Sequence, residues 1–93
     1  MGLAYEIRYH PKVETEDIEK LSHEMRRRIR ETIEMKLMAE PELYSIPLRG
    51  TLKGHRKLRV GDYRVVFYLE KKTIFVLAIL HRSVVYGRTE RRV

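Results

Sequence analysis

Cysteine and tryptophan are absent from this 93-residue chain, and phenylalanine occurs only twice. Without cysteine, no disulfide or thiolate metal site can hold the fold, so an oxidising compartment is not needed and a cytoplasmic location is expected. The sequence contains no apolar run near the roughly 20 residues of a membrane span, so no membrane partner is expected. The opening MGLAYEIRYH is charged and strand-like, without the apolar core of a signal peptide. There is no internal repeat and no low-complexity tract. At this length a single domain over residues 1–93 is expected, with one modest core.

Acidic residues are scarce in the second half. Residues 48–93 hold twelve Lys/Arg against three Asp/Glu, a balance of +9, whereas residues 1–47 hold eight against ten, or −2. The net charge of +7 therefore belongs to one half of the chain. Such asymmetry points to a polyanionic partner, nucleic acid being the commonest.

The apolar pattern gives the elements. In LAYEIRY, Leu3, Tyr5, Ile7 and Tyr9 alternate with polar neighbours, which predicts a half-buried strand. His10-Pro11 ends it, because proline has no N–H for a ladder. A short helix is predicted over about 12–21, and Ser22 is placed to cap a second one. Ile18, Leu21, Met25, Ile29, Ile33 and Leu37 recur at three and four, one apolar stripe along a helical hairpin. The second helix is expected to end at Glu40-Pro41. Arg26, Arg27, Arg28 and Arg30 resemble a binding patch, but Glu24–Arg28, Arg27–Glu31 and Arg30–Glu34 have the spacing of paired surface charges.

Residues 41–54 form a connector. Three strands follow, HRKLRV, YRVVFYLE and TIFVLAILH, separated by Gly61-Asp62 and Lys71-Lys72 turns. The last strand is apolar on both faces and is expected inside the sheet. The fold class is therefore α+β, in the order β-α-α-β-β-β: a mostly antiparallel four-stranded sheet, a helical hairpin on one face, and a short basic C-terminal helix or tail.

On this frame Lys57, Arg59, Arg64 and Arg82 are expected to converge on one sheet face, with His81 and Tyr86 at its rim. Such a face binds phosphates with affinity that falls as salt rises. It also stabilises charge on a phosphate under displacement. The histidine spacings match no zinc motif and acids are few here, so no metal and no cofactor are expected. Phosphodiester cleavage without metal needs the ribose 2′-OH as nucleophile, which makes RNA the substrate, with a general base and a general acid. Histidine titrates near neutrality, which favours His81. Tyrosine, with a reference pKa of about 10, is a weaker base at pH 7. His55 lies near Lys57 and is a minor candidate.

GHRKLRVGDYRVVFYLEKKTIFVLAILHRSVVYGR resembles the RelE/ParE toxin superfamily, through LRG and LKG, KLR, GDYR and HRSVVY. YEIRYHP and the helical hairpin extend the resemblance over essentially the whole chain. It implies a toxin of a type II toxin–antitoxin system, in the branch of ribosome-dependent mRNA endonucleases. Members of that branch enter the ribosomal A site and cut mRNA to a 2′,3′-cyclic phosphate and a 5′-OH. Arg64, Arg82, Tyr86 and His81 then match catalytic positions, and Lys57 and Arg59 the basic pair of the second strand. Arg56, His55 and Lys53 extend the RNA-binding set, although His55-Arg56 replaces the commoner leucine/aromatic pair. The implied partners are a cognate antitoxin with an acidic or amphipathic segment, the ribosome and mRNA, and operator DNA only through the antitoxin. On the same fold, a ParE-like toxin inhibits DNA gyrase by protein contacts, and a silenced toxin acts only as an antitoxin-binding module.

Overall fold

The computed structural model describes residues 5–93. Leu3, which the alternation places in the first strand, lies outside the described residues. Strand β1 (Glu6–Tyr9) leads into a helical hairpin. Its first arm is a π-helical turn, Val13–Asp17, tightening to a 3-10 turn, Ile18–Lys20. The second arm is helix α1 (His23–Thr32), continued by a π-helical turn, Ile33–Leu37. The Ser22 hydroxyl accepts from the Met25 N–H at 3.1 Å, the expected cap. Both arms contain i→i+5 hydrogen bonds where sequence periodicity implies plain α-helix; the Met38 N–H reaches the Ile33 carbonyl at 2.9 Å.

Strands β2 (Ile46–Pro47), β3 (Arg56–Val60), β4 (Tyr63–Glu70) and β5 (Thr73–His81) complete a sheet in the order β1-β5-β4-β3-β2. Helix α2 (Val85–Glu90) follows. The sheet has five strands rather than the four expected. The extra one, β2, is two residues long and ends in Pro47, so it carries no alternating pattern that sequence reading can detect. Strand β5 lies inside the sheet as expected, parallel to β1 and antiparallel to β4.

The turns obey their residues. Gly61 has φ +60° in the two-residue β3–β4 loop, a position where glycine costs nothing. Lys71 has φ +56° in the β4–β5 loop, where a non-glycine residue is strained.

The helical hairpin covers one sheet face. Val13, Leu21, Ile29, Ile33 and Leu37 pack on Leu58, Val60, Val65, Phe67, Ile74, Val76 and Ile79. Each such side chain contributes roughly 1.5–3 kcal/mol by burial. The opposite face has a smaller apolar patch of Val66, Ala78 and Leu80, capped by Val85 of α2 and by Leu48. That face, only partly covered, is the one on which Lys57, Arg59 and Arg64 lie.

The β4–β5 ladder contains a bulge. Val66 pairs with Ala78 and Phe67 with Val76, which leaves Leu77 without a β4 partner. On its other edge β5 loses β1 after His10, whose N–H bonds the Val76 carbonyl. The next backbone groups on that edge are met by side chains. The Asp17 carboxylate accepts from the Ile79 N–H at 2.9 Å, and the Arg92 guanidinium donates to the Leu77 carbonyl at 3.0 Å. Arg92 also grips Asp17 through two bonds of 2.7 and 2.8 Å.

Candidate functional site

In β3, Leu58 and Val60 point into the core, so their neighbours His55, Lys57 and Arg59 point to the opposite face. The register puts Arg59 directly across from Arg64 on β4, and Lys57 across from Val66. These like charges stay side by side because Arg59 is exposed and Arg64 is turned aside. The Arg64 guanidinium donates to the Gly61 and Tyr63 carbonyls, both at 3.0 Å.

Helix α2 brings Tyr86 onto this face. The Lys57 ammonium donates to the Tyr86 hydroxyl at 2.6 Å and lies 5.3 Å from its ring centroid. Lysine carries donors only, so the phenol oxygen accepts and its own O–H remains free to donate. Tyr86 is 45% exposed, open to a substrate. Two contacts fix the helix that carries it: Val85 and Thr89 are buried, and Thr51 donates to the Glu90 carboxylate.

Arg82 follows β5 and meets the same turn as Arg64. Its N–H bonds the Asp62 carbonyl at 2.8 Å, and its Nε lies 3.5 Å from the Asp62 carboxylate, both side chains being exposed. Asp62, which sequence reading treats only as a turn residue, is therefore the anchor of one of the cations.

His81 is directed elsewhere. It is the register partner of Tyr63, whose ring packs against the hairpin-covered core, and the two rings meet edge to face at 5.5 Å. The His81 Nδ1 accepts the Ser83 N–H at 3.1 Å and lies 2.8 Å from the Ser83 hydroxyl. Strand alternation thus puts His81 on the face opposite to Lys57 and Arg64. The expectation of a shared rim fails because His81 is still a strand residue when the parity is counted.

Arg56 also leaves the expected set. It points away from Lys57, and its guanidinium donates to Ser45 Oγ at 2.7 Å and to the Glu42 and Ser45 carbonyls at 3.2 Å. It clamps the connector before β2. His55 shares the Lys57 face but lies further along, edge-on to Tyr68 at 5.4 Å, with Nδ1 buried and unpartnered. Tyr68 stacks on Phe75 at 4.9 Å. Lys53 is exposed just beyond the 3-10 turn Gly50–Leu52. Of the helix arginines, only Arg27 makes its expected pair, with Glu31 at 3.4 Å. Arg26 instead bonds the Ile18 carbonyl, and Arg28 lies close against Gly61.

The face therefore gathers Lys57, Tyr86, Arg59 and Arg64, with Arg82 at its turn. Cations on a sheet surface beside a hydroxyl donor can hold a phosphate and donate a proton to it.

Comparison with known proteins places the arrangement. Residues 7–86 match the family model described as ParE toxin of type II toxin-antitoxin system, parDE. No curated protein sequence matches the chain. Among solved structures, the toxin–antitoxin complex RelBE2 from Mycobacterium tuberculosis is 27% identical, over 86% of this chain and 100% of that one, with a TM-score of 0.79. The fold is shared with a mutant of the E. coli toxin RelE in the free state, 20% identical over 98% of this chain and 99% of that one, TM-score 0.73. It is shared too with the Methanococcus jannaschii RelB–RelE antitoxin–toxin complex, 22% identical over 86% and 95%, TM-score 0.66.

Proposed function

The chain belongs to the ParE toxin family of type II toxin–antitoxin systems, within the RelE/ParE superfamily, and on that premise we propose that it is a ribosome-dependent mRNA endonuclease held in check by a cognate antitoxin. The observation that carries this reading is the 2.6 Å contact between Lys57 and Tyr86, on the sheet face that also holds Arg59 and Arg64. A lysine poised on an exposed phenol beside other cations suits proton transfer next to a bound phosphate.

In the proposed reaction the ribose 2′ oxygen attacks the adjacent phosphorus as its proton leaves to a base. The bond to the 5′ oxygen breaks, and that oxygen takes a proton from an acid. The products are a 2′,3′-cyclic phosphate and a 5′-OH. Arg59, Arg64 and Arg82 balance the charge that builds on the phosphate, each such donor being worth about 10²–10³ in rate. Tyr86 supplies one proton-transfer role. Its O–H suits it as donor in the neutral form, and Lys57 is its counter-ion whenever it is ionised. His81, on the far face, is not assigned a role in proton transfer. Lys57, Arg59 and Lys53 guide the strand to the site, and the mRNA is presented in the ribosomal A site.

The test is mapping of mRNA 5′ ends after brief expression. Wild type is expected to cut translated mRNA, and Tyr86→Phe to lose about 10²–10⁴ in rate, the usual worth of one proton-transfer group. Equal cleavage by both removes Tyr86 from the reaction.

The neighbouring complexes of RelBE2 and RelB–RelE support a bound antitoxin for this chain. The +9 balance of residues 48–93 calls for an acidic or amphipathic segment in it. A second reading has its own support: the matched family model is that of the ParE toxin, and the ParE-like branch that the sequence resembles acts on gyrase by protein contacts. Purified protein that blocks gyrase supercoiling while leaving ribosome-bound mRNA intact replaces the first reading with the second.

A further inference from the structure

A second basic cluster lies outside the face just described. An open groove of about 330 Å³ runs between the first arm of the helical hairpin and helix α2. Lys12, Glu16 and Lys20 line one wall, and Arg88, Arg91 and Arg92 the other. The first three are spaced by four residues, one side of a helical segment, and Arg88 and Arg91 by three, one side of α2. Segments more than 60 residues apart in sequence thus bring cations together across a gap.

Arg92 is already neutralised by Asp17, at 2.7 Å, and Glu16 also lies 3.9 Å from it. Lys12, Lys20, Arg88 and Arg91 form no ion pair among the described residues. Four like charges facing one another repel, and a bound polyanion offsets that repulsion.

The lining identifies the kind of polyanion. Every residue of the groove is charged, and none is aromatic or aliphatic. A protein-docking surface usually has an apolar core of anchors and is depleted in lysine, whereas Lys and Arg are leading side chains for holding a phosphate backbone. The position identifies it further. Tyr86 and Arg88, two residues apart, leave α2 on nearly opposite flanks. Tyr86 faces Lys57 and Arg88 faces the groove. Only the width of one helix, about 10 Å, separates the two sites. A strand lying across Tyr86 reaches the groove within a few nucleotides.

We propose that the Lys12/Lys20–Arg88/Arg91 groove is a second RNA subsite, which holds the phosphate backbone of the strand after it has crossed α2. The proposal rests on the RNA-cleaving reading above and extends it to binding beyond the scissile bond. The groove makes no base contact, so it adds affinity without sequence preference.

The test is binding of a fluorescent, uncleavable 2′-O-methyl RNA 12-mer to the full chain over a series of salt concentrations. The variant is Lys12→Gln/Lys20→Gln/Arg88→Gln/Arg91→Gln. Each lost phosphate contact lowers the slope of log K against log salt by about 0.7 for a single strand, nearly three units for four contacts. A fourfold rise in salt is then expected to weaken wild type about 50-fold more than the variant. A control, Lys36→Gln/Lys71→Gln/Lys72→Gln, removes charge elsewhere and is expected to keep the wild-type slope. An unchanged slope in the four-site variant overturns the proposal, as does an equal loss per charge in the control. If the four-site variant keeps its RNA slope but loses binding to an oligo-glutamate peptide, the groove is a protein surface and the proposal fails. Tyr86→Phe is expected to keep the slope. Absence of cleavage together with a groove-dependent slope therefore counts against the catalytic reading alone.

Discussion

Arg92 and Asp17, 75 residues apart in sequence, meet as a two-pronged ion pair with side-chain exposures of only 4% and 1%. The pair covers the β5 edge that β1 leaves bare at Pro11, taking the Ile79 N–H and the Leu77 carbonyl. A helix of six residues such as α2 is far too short to hold itself in water, so its place depends on tethers of this kind.

Removing one partner is expected to be costly. Arg92→Ala and Asp17→Ala each strand a buried charge and a backbone group, at about 3–5 kcal/mol. By the usual scaling this lowers Tm by more than about 10 °C in a chain this small. The double replacement Asp17→Leu/Arg92→Met is expected to lose less than the sum of the two single changes, and thermal unfolding of the set measures the difference. Hydrogen bonding to Asp17 raises the Arg92 pKa, while burial opposes it. With Asp17 ionised, the raised value keeps Arg92 charged up to and through the ordinary arginine range, and its own titration removes the contribution only as pH rises through the folded value.

Arg56→Ala separates structure from binding. Its three bonds to Ser45 and Glu42 hold the connector, and their loss is expected to cost about 1–3 kcal/mol. The salt slope of RNA binding is expected to stay as in wild type. A fall in slope like that of Lys57→Ala returns Arg56 to the binding face.

The two hairpin turns predict opposite signs. Lys71→Gly relieves a left-handed residue and is expected to stabilise by about 1 kcal/mol. Gly61→Ala meets both a φ of +60° and a contact of 3.1 Å with the Arg28 guanidinium, so it is expected to destabilise by about 1–2 kcal/mol. Urea midpoints of the two variants settle the order.

Tyr9 predicts an alkaline effect. Burial, then the charges of Glu34 and Glu14, push its pKa above the usual value of 10.0. The folded chain keeps the phenol proton where the unfolded chain releases it, so stability is unaffected below the unfolded value and falls as pH rises above it. Tyr9→Phe is expected to lose less stability than wild type above about pH 10 and to match its pH dependence at neutral pH. Chemical denaturation across that range provides the comparison.

Much of this was legible in the chain. Alternation in YRVVFYLE and TIFVLAILH, the Ser22 cap and the two-residue turns each follow from local chemistry, and each is found. The Lys57, Arg59 and Arg64 face also follows, because strand parity and a tight turn fix it. The same parity sends His81, the last residue of TIFVLAILH, to the opposite face, and its closeness in sequence to Arg82 and Tyr86 does not make it their neighbour in space. Arg56 illustrates a different limit: its partners Ser45 and Glu42 lie in a connector without periodicity. Asp17 and Arg92 were beyond sequence reading altogether. Nothing in a helical stripe marks one carboxylate as the cover for a strand edge formed 60 residues later.

Among the described residues, strand β1 pairs only with β5, and Asp17 meets only one guanidinium, that of Arg92. A chain still emerging from its own ribosome therefore leaves its amino-terminal strand and helical hairpin without the surfaces they close on. Helix α2, which carries Tyr86, is the last of the described elements to be synthesised, so it has to dock after the others are available. Until it docks, Tyr86 is not held against Lys57, so the pair that joins β3 to α2 is among the last contacts a new chain can complete.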